Sequence, residues 1–243
     1  MMTSKKSNSP ILARLLKGGG AQGFGQAVQM LIRLAEVPLL LCFWGPHLYG
    51  EWLMLFAIPG YLVLGNGGFC SAACHDMTML SQRGDRQGVL AVFQSTWALL
   101  GIITFVVGLC AVTFVNAFPL AHWLGFSIID QAHTEIVFLL LTAYVLVGFQ
   151  YGLLYGGFWV AGHYPLGMSL AAVAQLVEFA LLASAVAMGY GPVGAAAGLL
   201  SGRLLGAVLY WVNHHRLSPW LRYGISHSSF SEVRRLFKPA LAS

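Results

Sequence analysis

The chain has 243 residues, of which 58% are hydrophobic and 9% charged, with a formal net charge of +5. A water-soluble domain carries roughly 25% charged residues, so a surface wetted on all sides is excluded and lipid is the expected solvent for most of the chain. The positive balance comes without a basic stripe interleaved with aromatics, which argues against a nucleic-acid partner.

Residues 1–18 are polar and basic, with Lys5, Lys6, Arg14 and Lys17. They lack the small-residue cleavage pattern of a signal peptide, and the apolar stretch behind them is too long for one. Six apolar stretches then follow at about 19–43, 51–74, 89–117, 135–161, 166–188 and 192–213. Each supplies the ~20 residues that a ~30 Å hydrocarbon layer requires of a helix. The expectation is therefore an all-α integral membrane bundle of about six transmembrane helices over 19–213. A polar segment, His75 to Gly88, separates the second and third, and a longer loop at 118–134 carries Trp123 and Phe126 as interface anchors. Residues 214–243 read as a basic tail. In it Phe230, Val233 and Phe237 fall at helical spacing, and Pro239 to Ser243 read as the start of a further apolar run, so the chain is expected to be the first part of a longer protein.

Charge sets the expected orientation. Eleven of the thirteen Lys and Arg residues fall in the N-terminal segment, the 75–88 loop and the tail, while the loops at 44–50, 118–134 and 189–191 have none. Basic residues collect on the cytoplasmic side, which predicts both termini cytoplasmic and an even number of spans. The remaining two, Arg33 and Arg203, lie inside spans.

Ionisable groups at mid-bilayer cost at least ~2.5 kcal/mol, so they face a partner or a wet cavity. In the first span Gln22, Gln26, Gln29, Arg33 and Glu36 are spaced 4, 3, 4 and 3, within an arc of about 80° on a helix. This polar face either lines a hydrated cavity, with Arg33 as an anion contact, or is consumed by an internal Arg33–Glu36 pair and glutamine hydrogen bonds to other helices. Glu178 in the fifth span, with Gln175 a turn earlier, and Arg203 in the sixth are either an ion pair between two helices or, for Glu178, a titrating group in proton or sodium coupling. Gly148, Gly152 and Gly156, and Gly194, Gly198, Gly202 and Gly206, repeat every four residues and predict close helix packing. Tyr144, Tyr151 and Tyr155 share another face, as a packing ridge or a sugar contact. Pro59-Gly60, with Gly65-Asn66-Gly67-Gly68 beyond it, predicts a kinked or unwound second helix.

Two motifs lack their context. Gly18 to Gly23 fits G-x-G-x-x-G but follows a basic tail, not a strand. Cys70 to His75 resembles a haem-attachment motif with one residue too many. Cys42, Cys70, Cys74 and Cys110 have no zinc spacing, and His214-His215 reads as an interface cap. No cofactor, metal site or catalytic constellation is expected, and the chain does not read as an enzyme.

The stretch from Gln29 to Arg86 resembles the polysaccharide flippases of the MOP exporter superfamily, to which the MATE transporters also belong. The residues that carry this are Arg33-Leu34, Gly45-Pro46-His47-Leu48-Tyr49-Gly50-Glu51-Trp52, Tyr61 to Gly68, with Asn66 where the family's segment has Asp, and Arg83-Gly84-Asp85. The resemblance implies the N-terminal lobe of a two-lobed bacterial inner-membrane transporter. Such a protein moves polyprenyl-pyrophosphate-linked oligosaccharide by alternating access for O-antigen, capsule or exopolysaccharide synthesis. Arg33 and, more weakly, Arg203 would meet the pyrophosphate, and the first-span glutamines the glycan hydroxyls. Two other expectations stand beside it: a cation-coupled small-molecule exporter using Glu178, and a non-transporting scaffold for glycan polymerase and assembly proteins.

Overall fold

The computed structural model describes residues 9–217, 220, 221 and 224, and places the side chains of these except 9–18, 21 and 63–69. Arg222, the amphipathic 230–238 segment and the apolar run at 239–243 lie outside the described residues.

Among the described residues every regular element is helical: α1 (Ser9–Gln82), α2 (Arg86–Ala117), α3 (Leu120–Leu124), α4 (Gln131–Val160), α5 (Tyr164–Ala187) and α6 (Gly191–Leu217). Five helical segments are long and apolar enough to cross a membrane, the first being Gln22–Leu62 with 41 residues. At ~1.5 Å per residue that segment measures about 62 Å, twice a hydrocarbon layer of ~30 Å. It is two limbs joined at Gly45, which has φ 71 and ψ 174 inside otherwise helical backbone. Divided at Gly45, α1 supplies two helical limbs, which with α2, α4, α5 and α6 make six long helical segments, the number of spans expected from the sequence.

The expected loop at 44–50 is therefore replaced by a one-residue corner. Glycine takes the positive φ without a Cβ clash, and Pro46 biases the residue before it away from the helical region while suiting the start of a new helix. The unwinding expected at Pro59-Gly60 does not occur: among the described residues of α1, Gly45 is the single one with non-helical dihedrals. The expected loop at 75–88 also shrinks. The helix runs on to Gln82, with Ala73 and Met77 fully buried against Val89 of α2. The turn is made by residues 83–85 with Gly84 at φ 76, and Asp85 caps α2 by accepting from the Gly88 N–H at 2.9 Å.

The 118–134 loop is folded onto the Gly45 corner. After α3 ends at Gly125 in the left-handed conformation, the Glu51 carboxylate accepts from the amides of Ser127, Ile128 and Ile129 at 2.7, 3.0 and 2.8 Å. Leu48, Trp52, Leu124, Phe126 and Ile129 join one apolar cluster at this end of the bundle.

α5 and α6 make the most extensive helix pair, and the α6 glycines are why. A Cβ at Gly202 would lie 2.6 Å from Glu178 Cα, and one at Gly198 2.9 Å from the Leu181 carbonyl oxygen. The α4 glycines serve different neighbours: Gly148 faces Arg203, while Gly152 and Gly156 face Cys70 and Cys74 of α1.

Candidate functional site

The polar face of the first limb of α1 turns into the bundle toward α4, α5 and α6. Gln29, Arg33 and Glu36 line a cavity of about 310 Å³ together with Tyr144, Gln175, Glu178 and Arg203, between apolar walls that include Phe56, Phe179 and Leu199. A second cavity of about 310 Å³ shares Gln29 and Gln175 with the first and adds Gln26, Tyr151, Tyr155 and Met168. The two form a cleft along the α1 stripe, ionic at one end and lined by amides and phenols at the other.

The ionic end is organised around α6. Arg203 Nε lies 2.9 Å from Glu178 Oε1, and Arg203 Nη2 donates to Glu178 Oε2 at 3.0 Å. The Nη2 contact is a charge-assisted hydrogen bond, whereas Nε makes an ion-pair contact without a hydrogen bond. The Tyr144 hydroxyl donates to Glu178 Oε2 at 3.0 Å and accepts from Arg203 Nη2. The guanidinium also lies over the Tyr144 and Tyr151 rings, with Cζ at 4.3 and 5.4 Å from their centroids. Buried charge is tolerated when it is paired and hydrogen-bonded, and both conditions are met. The Glu178 side chain is 7% exposed and that of Arg203 19%, on the cavity side.

Arg33 differs. Among the described residues it forms no ion pair, with Glu36 or any other acid, and its side chain is exposed. The internal Arg33–Glu36 pair that the i,i+3 spacing allows is therefore not formed. Both residues point into the cavity.

Gln26, Gln29, Arg33, Glu36, Glu178 and Arg203 all meet in this cleft. Gln22 lies farther along the stripe, where it accepts from the Tyr164 hydroxyl at 3.4 Å. Sequence reasoning left Tyr144 as one of three ridge tyrosines. Its partners lie 34 and 59 residues away, and the available signal was its coincidence at membrane depth with an acid and a base on two other spans. Tyr151 and Tyr155 pack at 4.6 Å and 6.4 Å from Tyr210, as the ridge reading expects, and also line the cleft.

No protein-family model and no curated protein matches this sequence. Solved structures do. A MATE transporter in complex with MaD3S aligns with a TM-score of 0.71 at 17% identity, covering 94% of this chain and 52% of that one. The fold is one half of a MATE-type transporter. An outward-facing multidrug resistance MATE transporter of the MOP superfamily aligns with a TM-score of 0.68 at 14% identity, covering 94% and 51%. A MOP-superfamily transporter from Pyrococcus furiosus, described as having a binding pocket of reversed polarity, gives 0.65 at 14% identity with the same coverage. The chain thus spans about half the length of the structures it matches, and in this fold the cleft between α1, α5 and α6 is where ionisable side chains of the helices gather.

Proposed function

We propose that this chain is the N-terminal lobe of a membrane exporter that works by alternating access, and that its cargo is an oligosaccharide linked to a polyprenyl pyrophosphate. In this reading it resides in the bacterial inner membrane with a cytoplasmic N-terminus and serves O-antigen, capsule or exopolysaccharide synthesis. The observation that carries it is Arg33, an arginine with no acidic partner among the described residues, facing a cleft that continues as glutamine and tyrosine side chains. A guanidinium fork suits phosphate oxygens, and amide and phenol groups suit sugar hydroxyls. The test is Arg33→Ala in the full-length protein. Surface polysaccharide is expected to fall at least about tenfold, the weight of one charge-assisted contact, and an unchanged level would show the assignment to be wrong.

A second reading, a cation-coupled small-molecule exporter with Glu178 as the coupling carboxylate, is favoured by the MATE identity of the structural neighbours. Drug efflux driven by a proton or sodium gradient, with normal glycan export, selects it.

A further inference from the structure

The cleft holds two guanidinium groups in opposite states: among the described residues Arg33 has no acidic partner, whereas Arg203 is ion-paired with Glu178 and steadied by Tyr144. We propose that Glu178 is a specificity-determining residue that acts as a built-in competitor, releasing Arg203 only to a ligand able to replace a carboxylate, which selects phosphate- or pyrophosphate-bearing molecules over neutral ones. The proposal rests on the reading of the cleft as an anion-binding export cavity.

Three observations support it. Arg203 is partly exposed toward the same cavity as Arg33, so an anion drawn in by Arg33 arrives beside it. Arg203 Nη2 donates to Glu178 Oε2, and Nε lies 2.9 Å from Oε1 without a hydrogen bond, which places the carboxylate along the guanidinium edge where phosphate oxygens would sit. The pair is also sealed from behind. A Cβ at Gly202 would strike the Glu178 backbone, and Gly148 backs Arg203 with its nearest guanidinium nitrogen 3.5 Å from an added Cβ. The exchange therefore runs through the cavity.

The chemistry of exchange supplies the selectivity. A neutral hydroxyl that displaced Glu178 would leave a buried cation and a buried anion unpaired, an arrangement membranes and protein interiors strongly disfavour. A phosphate replaces the carboxylate like for like, and the released Glu178 remains in a lining that carries the amides of Gln29 and Gln175. Tyr144 sets the threshold, because its hydroxyl bridges both members of the pair.

The experiment uses the full chain in nanodiscs and labelled inorganic pyrophosphate. Glu178→Gln should bind at least about tenfold tighter than the wild type, and adding Arg203→Gln should abolish that gain. Tyr144→Phe leaves the ion pair in place, which guards against a misfolded Glu178 variant, and should bind a few-fold tighter. A neutral disaccharide should gain nothing from either variant. Wild-type affinity in both Glu178→Gln and Tyr144→Phe, or a gain that persists without Arg203, overturns the proposal. Failure of the export reading shows separately, as surface polysaccharide that ignores Arg33→Ala.

Discussion

Two cavities flank the seam between α4 and α6, and they are opposite in kind. The groove on one side, about 760 Å³, is walled by side chains such as Trp97, Phe105, Leu109, Leu146, Val208 and Trp211. The cleft on the other side, about 310 Å³, is lined by Arg33, Glu36, Glu178 and Arg203. Neighbouring positions serve the two: Ala143 and Leu204 face the groove, Tyr144 and Arg203 the cleft. In water the larger cavity would attract attention as a binding site. In a bilayer an apolar recess on a face carrying Ile102 and Phe105, 62% and 72% exposed, is simply surface. Polarity rather than volume sets the cleft apart, because each ionised group there carries an insertion cost that must be offset locally.

The contrast is broken most severely at Glu178. Glu178→Ala leaves the Arg203 guanidinium without its carboxylate inside the bundle, and removing one member of a buried pair costs about 3–5 kcal/mol. Thermal unfolding in detergent should register that loss. Replacing both residues with Leu and Met should recover most of it, since an apolar pair of similar volume is close to neutral. If the single variant were as stable as the wild type, the ion pair would not be holding α5 to α6.

The next effect is steric and belongs to the same helix pair. Gly202→Leu places a side chain where even a Cβ would meet Glu178 Cα at 2.6 Å, and overpacking of this kind costs about 1–3 kcal/mol. Gly108→Leu, on the groove side, meets nothing closer than Leu146 Cδ1 at 3.7 Å and should leave unfolding unchanged. Equal destabilisation by the two substitutions would erase the distinction between a packed seam and an open face.

What the sequence made legible follows from how strongly the membrane constrains a chain. Span number, the α2, α4, α5 and α6 boundaries to within a few residues, and the polar arc of α1 all came from hydropathy and helical period. These depend on local sequence and a solvent of fixed thickness. The turns were less legible, for a physical reason. A corner needs one residue at positive φ, and Gly45-Pro46 and Pro59-Gly60 look alike in composition, yet Gly45 takes φ 71 while the chain stays helical through Pro59. The helix past His75 was hidden because polar residues beyond the hydrocarbon satisfy a helical backbone as well as a loop would. Tyr144 and the grip of Glu51 on the 127–129 amides were hidden because their partners lie 34 and 59 residues away in one case and 76 to 78 in the other, a matter of tertiary placement rather than pattern.

The smallest effect tests the groove itself. Thr104 lies on α2 with its hydroxyl oxygen buried and without a hydrogen-bond partner, whereas Thr96 and Thr113 on the same helix bond back to the carbonyls of Val92 and Leu109. A buried hydroxyl with no partner is a desolvated dipole that contributes nothing in return. Thr104→Val keeps the shape, matches the apolar lining and should stabilise the protein by about 1 kcal/mol, read as a small rise in the unfolding temperature. The same exchange at Thr96 removes a made bond and should do the reverse. If Thr104→Val were destabilising instead, its hydroxyl would have a partner in the assembled membrane protein, and the groove would have to be reclassified from lipid-facing surface to occupied interface.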